Sequence, residues 1–394
     1  MTTPDEHSTE STIRPFHIDV PQADLDDLKE RLSRTRWTEE VEDAGWDYGT
    51  SLGYLKELTD YWRDRFDWRK QEAELNRFTQ FRAEIDGFGL HFMHERGKGP
   101  TPLPILLLHG WPDSFYRFHK MIPMLTDPER FGGDPADSFD VVVPSLPGFG
   151  FSDRPRERGW GQEQDAALFH RLMSEVLGYD RCGAHGGDGG SPISQTLARS
   201  YPDSVVGIHL TDIGYDKAAQ LDPSTFSEAE QEWMGAQEGW SFEEGGYVMI
   251  QGSRPQTLGY GLNDSPAGLA AWIVEKFRAW SDCDGDVERS YTKDELLTNI
   301  TIYWATQTIN PSIRTYYEGI HSWSEAPPRV EAPVGMALFA KDFPGNSSLP
   351  RETAERFFSN IQSWTEIPRG GHFTAMEEPE LLTEDLRAFY RELR

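Results

Sequence analysis

An alternating α/β architecture, a doubly wound and mostly parallel sheet with an inserted helical cap and an N-terminal helical arm, is what this sequence predicts, and three observations carry the prediction. First, LPILLLHG and FDVVVPSLPG are short apolar runs ending in Gly or Pro, the pattern of strands buried on both faces. Second, helix-like EQDAALFHRLMSEVLGY, strand-like RCGAHGG, helix-like SPISQTLARSY and strand-like VVGIHLTD alternate as they do in a parallel sheet. Right-handed crossovers then place helices on both faces. Third, aromatic, Gly-rich and helical stretches such as PAGLAAWIVEKFRAW and DELLTNITIYWATQ break the rhythm before VGMALFAKDFPG and SWTEIPRGGHF resume it, which is how an insertion into a continuing sheet reads.

Taken in order, residues 1–13 are polar and predict a disordered tail. FHIDVPQADLDDLKERLSRTRW then carries Leu25, Leu28, Leu32 and Trp37 at roughly helical spacing, interleaved with charge, so it predicts an amphipathic helix in need of a partner surface. SLGYLKELTDYWRDRFDW predicts a second helix, with no strand before about residue 80. FRAEIDGFGLHFMHE alternates like a hairpin at the sheet edge. The expected divisions are tail and arm over 1–80, the first part of the core over 81–213, the cap over 214–328 and the rest of the core over 329–394, closed by the helix PELLTEDLRAFYRELR.

Composition narrows the function. Of 394 residues, 66 are acidic and 38 basic, a net charge of −28 that repels a phosphate backbone and an anionic membrane surface alike. Neither nucleic acid nor membrane is therefore expected as a partner, and a homo-oligomer is left open. The two cysteines, Cys182 and Cys283, have no CxxC spacing and indicate neither a zinc site nor a disulfide framework, which fits a reducing cytoplasm. The start MTTPDEHSTEST lacks the basic and apolar regions of a signal peptide. Aromatic residues make up 12% of the chain, 13 of them Trp, in keeping with a large apolar pocket.

The chemistry centres on RCGAHGGDGGSPISQTLARS, a strand, the turn Gly186–Gly187–Asp188–Gly189–Gly190, and a helix. This matches the nucleophile elbow of the α/β-hydrolase fold, whose sharp turn admits only small residues two positions either side of the nucleophile. The central residue is Asp188, where a serine would suit attack on acyl carbon. A carboxylate instead displaces at saturated carbon and leaves an ester on the enzyme. HGWP follows an apolar strand, so the backbone N–H of Trp111 and that of Gly189 are expected to form an oxyanion hole, with His109 structural. The chain order nucleophile, acid, base points to His372 in PRGGHF as the base and Asp342 at the end of MALFAKD as the orienting acid; Asp212 and Glu366 also lie near strand ends.

HGWP, GGDGG, the late Asp, GGHF and the cap stretches EEGGYVMIQGSRPQTLGYGLNDSPAGLAAWIVEKF and LLTNITIYWATQTINPSIRTYYE together resemble the microsomal-type epoxide hydrolases, from about residue 14 to the C-terminus. The resemblance implies two cap tyrosines that protonate the epoxide oxygen, falling on Tyr247 and on Tyr316, with its neighbour Tyr317 as the other candidate. A phenol with a pKa of about 10 can donate to an alkoxide and still be protonated at neutral pH. It also implies a small-molecule epoxide as substrate, a vicinal diol as product and no cofactor or metal. Two departures from the family are expected to matter: Gly189 stands where Trp is usual after the nucleophile, which keeps the N–H donor and implies a roomier or reshaped cavity, and no N-terminal membrane anchor of the mammalian kind is expected. The aromatic content of the cap and Gly189 admit a bulky aryl or polycyclic epoxide, and the resemblance to bacterial enzymes of enediyne antibiotic biosynthesis sets a biosynthetic role beside detoxification. The rival readings are a haloalkane dehalogenase using the same aspartate, and a non-catalytic binding protein on a hydrolase scaffold.

Overall fold

The computed structural model describes residues 12–214, 221–322 and 328–394. Nine strands, β1 (Thr12–Pro15), β2 (Gln80–Ile85), β3 (Phe88–Glu95), β4 (Leu103–Leu108), β5 (Phe139–Pro144), β6 (Cys182–Gly186), β7 (Val205–Leu210), β8 (Val334–Phe339) and β9 (Ile361–Ile367), form one sheet in the order β1-β2-β3-β5-β4-β6-β7-β8-β9. The first three pairings are antiparallel and the remaining five parallel. The apolar runs of β5 and β8 are buried throughout their length, as strands covered on both faces must be.

The strand order reverses between β4 and β6. From β4 the chain moves outward to β5, and from β6 it moves the other way to β7, so the segments leaving their carboxyl ends diverge and open a crevice there, the usual ligand site of such sheets. Helices cover both faces. A Cβ on Gly183 would meet Tyr390 of the last helix, whereas one on Gly186, three residues on and therefore on the other face, would meet Gly190 and Ser194 of the helix that follows β6.

The helices are α1 (Gln22–Ser33), α2 (Leu52–Asp64) and α3 (Trp68–Leu75) before β2; α4 (Met121–Thr126), α5 (Gln162–Arg171) and α6 (Gly190–Ser200) within the first part of the sheet; α7 (Glu228–Glu244), α8 (Gly246–Ser253), α9 (Pro255–Asp264), α10 (Pro266–Trp280), α11 (Lys293–Thr306) and α12 (Ile309–His321) between β7 and β8; and α13 (Pro344–Ser347), α14 (Arg351–Glu355), α15 (Thr374–Glu377) and α16 (Pro379–Arg391) at the end. The surface that α1 and α2 need is supplied by α10. Thr50 Oγ1 donates to the Ala271 carbonyl at 2.8 Å, and Tyr61 Oη to Asp294 at 2.9 Å. Among the described residues no helix is long and apolar enough to cross a membrane.

Several expectations need correction. Of the expected tail, residues 1–11 lie outside the described residues, while Thr12 and Ile13 open β1, which pairs with β2 and so moves the expected edge hairpin one strand inward. The four exposed residues of β1 are held by backbone pairing, which leaves no hydrophobic pattern to read. Trp37 lies beyond the end of α1, 38% exposed, and shares none of the burial of Leu25, Leu28 and Leu32. The second helical stretch breaks after Asp64, and Asp67 caps a third helix by accepting from the Lys70 N–H at 3.3 Å.

The approach of α16 to the sheet yields a stability prediction. Tyr390 Oη donates to the carbonyls of Ala184 and Gly207, at 2.7 and 3.1 Å, so its ring cannot swing aside. A Cβ at Gly183 would lie 2.5 Å from that ring. Gly183→Ala is expected to cost about 1–3 kcal/mol through overpacking, measured from the urea unfolding midpoint; an unchanged midpoint would mean that the ring gives way.

Candidate functional site

The turn after β6 puts Asp188 at φ +53°, a left-handed conformation that a non-glycine residue adopts only where its surroundings enforce it. They do so by leaving no room elsewhere. A Cβ on Gly186 would sit 2.2 Å from the Gly190 carbonyl, one on Gly190 2.1 Å from that of Leu108, and one on Gly110 2.1 Å from Asp188 Oδ1. Beneath the turn, Asp212 Oδ2 accepts the Asp188 N–H at 2.7 Å, and Asp212 Oδ1 takes the Gly214 N–H. Burial, with the Asp188 charge adding to it and the Asp188 N–H opposing it, pushes the Asp212 carboxyl up to about 6.

The two oxygens of Asp188 have different surroundings. Oδ1 accepts the N–H groups of Trp111 at 2.9 Å and Gly189 at 2.7 Å. Oδ2 lies 3.3 Å from His372 Nε2, and that nitrogen makes no aligned hydrogen bond. Burial alone would raise the Asp188 carboxyl, but His372 and the two backbone donors override it and hold the group below the usual carboxylate range. The Asp188 side chain keeps 19% of its surface accessible, against 2% for each of the side chains of His372 and Asp342. A molecule entering the crevice therefore reaches the carboxylate first.

His372 Nδ1 sits 3.0 Å from Asp342 Oδ1, and Asp342 is itself fixed by the Phe343 N–H at 2.8 Å and by Asn346 Nδ2 at 2.9 Å. Burial would lower the imidazole, but Asp342 and Asp188 outweigh it and push it up to about 10. Of the other candidate acids, Asp212 is engaged beneath the turn and Glu366 stands exposed on β9. His109 fastens its turn: Nδ1 lies 2.9 Å from the Gly110 carbonyl, and Nε2 accepts the Leu146 N–H at 3.1 Å.

The cap brings two phenols over this centre. The Tyr247 ring, from α8, stacks on Trp111 with centroids 5.5 Å apart, and the Tyr316 ring, from α12, meets both, 5.8 Å from each. Burial first, then Tyr247 and Asp188, push the Tyr316 phenol well above its ordinary value. Tyr317, about 100° further round the helix, instead stacks on His321 at 3.9 Å.

A buried ion pair went unread in the sequence. Arg117 Nη1 donates to Asp113 Oδ2 at 2.6 Å and Nη2 to the His372 carbonyl at 2.8 Å, while Asp113 Oδ1 accepts the Gly110 N–H at 3.0 Å. The pair ties the loop that carries the Trp111 donor to the loop that carries His372. Its one sequence signal is two opposite charges four residues apart inside the otherwise apolar HGWPDSFYRF.

Comparison with known proteins bears on the family and the fold. Residues 13–118 match the family model "Epoxide hydrolase N terminus", and residues 104–248 match "alpha/beta hydrolase fold". A protein of Stigmatella aurantiaca with a provisional epoxide hydrolase name is 44% identical over 97% of this chain and 86% of its own length. Epoxide hydrolase 1 of Sus scrofa is 36% identical over 96% of this chain and 89% of its own. The crystal structure of juvenile hormone epoxide hydrolase from the silkworm Bombyx mori, 31% identical, superposes with a TM-score of 0.84 over 98% of this chain and 94% of its own.

Arg117 and Asp113 are both 1% exposed, so removing the cation strands a charge. Arg117→Leu should lower stability by about 3–5 kcal/mol, as the loss of one partner of a buried pair does, with denaturant unfolding as the measure. A loss under about 1 kcal/mol would mean that water reaches Asp113.

Proposed function

The chain belongs to the epoxide hydrolase family and is a hydrolase acting on epoxides, and we propose that it makes a vicinal diol through an ester on Asp188. The observation that carries this reading is the division of labour between the two oxygens of that carboxylate. Oδ2, free of backbone donors, is the attacking atom. It forms a bond to one epoxide carbon as that carbon's bond to the ring oxygen breaks, and the electron pair moves to the oxygen, which takes a proton from the Tyr247–Tyr316 pair. Oδ1 becomes the ester carbonyl oxygen, already resting on the N–H groups of Trp111 and Gly189. When water adds to the ester carbon, the oxyanion forms in place, an arrangement commonly worth about two to three orders of magnitude in rate.

The same charges time the two halves of the reaction. In the free enzyme His372 is held as an imidazolium between two carboxylates. Forming the ester removes the Asp188 charge, one of the two that stabilise that imidazolium. The imidazole then gives up its proton more readily and serves as base for water, with Asp342 fixing its orientation.

An aryl epoxide of some bulk suits the site. Trp111, Tyr247, Tyr316 and Trp280 form a contiguous aromatic cluster, and a Cβ at position 189 would meet nothing nearer than 3.5 Å, so the missing side chain leaves usable space. Secondary metabolism is the setting that this reading favours for such a substrate. A cytoplasmic location belongs to the same reading, with Cys182 and Cys283 both unpaired. Haloalkane dehalogenation would start from the same carboxylate but has no use for two phenols. The alternative of a non-catalytic scaffold gives way to the family membership.

His372→Gln should trap the ester: brief exposure to styrene oxide should add the mass of the whole epoxide at Asp188, and Asp188→Ala should add none and lose turnover by at least ~1000-fold. Mass on another residue would overturn the assignment. In the unaltered enzyme, ester hydrolysis followed by rapid quench should slow as pH falls and His372 is protonated, with a midpoint well below 10 because the ester carries no charge. Ester formation should stay flat across neutral pH; a hydrolysis step equally flat from pH 5 to 9 would exclude His372 as the base.

A further inference from the structure

Ring opening moves one negative charge. Asp188 loses it on becoming an ester, and whichever tyrosine gives its proton to the epoxide oxygen gains it. The environments of the two phenols are unequal. Lys276 of α10 places its ammonium 4.9 Å from the centroid of the Tyr247 ring and 5.6 Å from that of Trp280, which lies one turn further along the same helix. The lysine is only 5% exposed, a rare position for that side chain. Its ammonium pairs with Glu275 at 2.6 Å and Glu244 at 3.7 Å. Tyr316, by contrast, faces Asp188, Tyr247 and Tyr303, each of which opposes its ionisation.

We propose that Lys276 is a positioning residue that selects Tyr247, rather than Tyr316, as the phenol that surrenders its proton to the opening ring. This rests on the reading of Asp188 and the tyrosine pair given above. An ammonium over a neutral aromatic ring contributes a modest attraction. Once that ring is a tyrosinate, the attraction becomes one between full charges in a largely water-free site, roughly a factor of ten to a hundred in equilibrium constant. The lysine therefore stabilises Tyr247 most in the state reached as the epoxide carbon–oxygen bond breaks. Tyr316 keeps its proton and holds the oxygen by hydrogen bonding. The second half-reaction restores the balance: the proton that His372 gives up once Asp188 is an ester is the equivalent of the one Tyr247 must recover, and the proton that His372 then takes from water returns it to the imidazolium.

The charged and titratable groups near Tyr247 include Lys276, with Glu275 and Glu244 behind it, and Tyr316 from α12, which itself faces Asp188. Losing the ammonium should therefore raise the pH at which Tyr247 ionises.

The test is the single-turnover rate of ester formation with styrene oxide, followed by mass on the His372→Gln protein from pH 6 to 11. Lys276→Met should slow ester formation at neutral pH by roughly ten- to a hundredfold and move the alkaline limb upward by about one unit or more. Lys276→Arg should restore both. The Lys276→Met effect should vanish in a Tyr247→Phe background and persist in Tyr316→Phe, which a merely structural role would not produce. If removing the cation alone prevents folding, Lys276→Met combined with Glu275→Gln removes charge and counter-charge together and carries the same expectation. An unshifted alkaline limb, or an effect that survives in Tyr247→Phe, would overturn the role of Lys276 while leaving the ester mechanism standing. Failure of the parent His372→Gln protein to gain mass at Asp188 would instead bring down both readings.

Discussion

The site depends on how closely the ends of β4 and β6 approach one another. At the point where the sheet changes direction, Gly110, Gly186 and Gly190 come so near the neighbouring backbone and the Asp188 carboxylate that a single methyl group would overlap them. That crowding forces Asp188 to positive φ and lifts its side chain out of the turn. The same crowding brings the N–H groups of Trp111 and Gly189 onto one oxygen. Position, accessibility and the donor pair thus share one steric cause. Gly189 is the exception: it lies at ordinary van der Waals distance from its neighbours, so the absence of a side chain there bears on the pocket and not on the turn.

Charge is arranged with similar economy. Asp188, Asp342 and Asp212 converge on one imidazole and one elbow, all within a buried region. Such a cluster of like charges is tolerable because each carboxylate has a different partner: a pair of backbone donors for Asp188, the imidazole for Asp342, the elbow N–H for Asp212. Arg117 adds a cation fixed by Asp113 on one side and the His372 carbonyl on the other. The site is therefore a set of opposed charges held by packing.

Much of this was legible in the sequence, for a physical reason. Strands covered on both faces are mostly apolar and an elbow has to be glycine-rich, so FDVVVP, VGMALF and GGDGG each pointed to their element. The expected order nucleophile, acid, base pointed to His372 and Asp342, and the fold sets these two side chains 3.0 Å apart. What stayed hidden depends on partners remote in the chain. Thr12–Pro15 forms a strand only because β2 offers a backbone edge. Tyr316 and Tyr317 are equivalent in composition and differ only in a rotation about α12 that its packing sets. Arg117 reaches across 255 positions to a backbone carbonyl, which has no signature in residue type. Lys276 reads as an ordinary amphipathic-helix lysine until α10 is seen to bury it.

The arm explains why a helical prefix belongs to the catalytic unit. Helices α1 and α2 pack on α10, and Thr50 ties its side chain to a carbonyl in the middle of that helix. Helix α10 in turn carries Trp280, whose carbonyl accepts the His372 N–H at 2.7 Å and whose ring lies 5.1 Å from that of Tyr247. It also carries the lysine that faces Tyr247. A displacement of α10 by even an ångström would act on His372 and on Tyr247 together, since both are referred to the same turn of helix. A helix in that position needs support on its outer side as well as contact on its inner side, and among the described residues the arm provides it. The stretch matched as an epoxide hydrolase N terminus runs unbroken from the arm through HGWP, and the packing gives that continuity a mechanical meaning: one segment supplies both the outer support of α10 and the loop that presents the Trp111 donor.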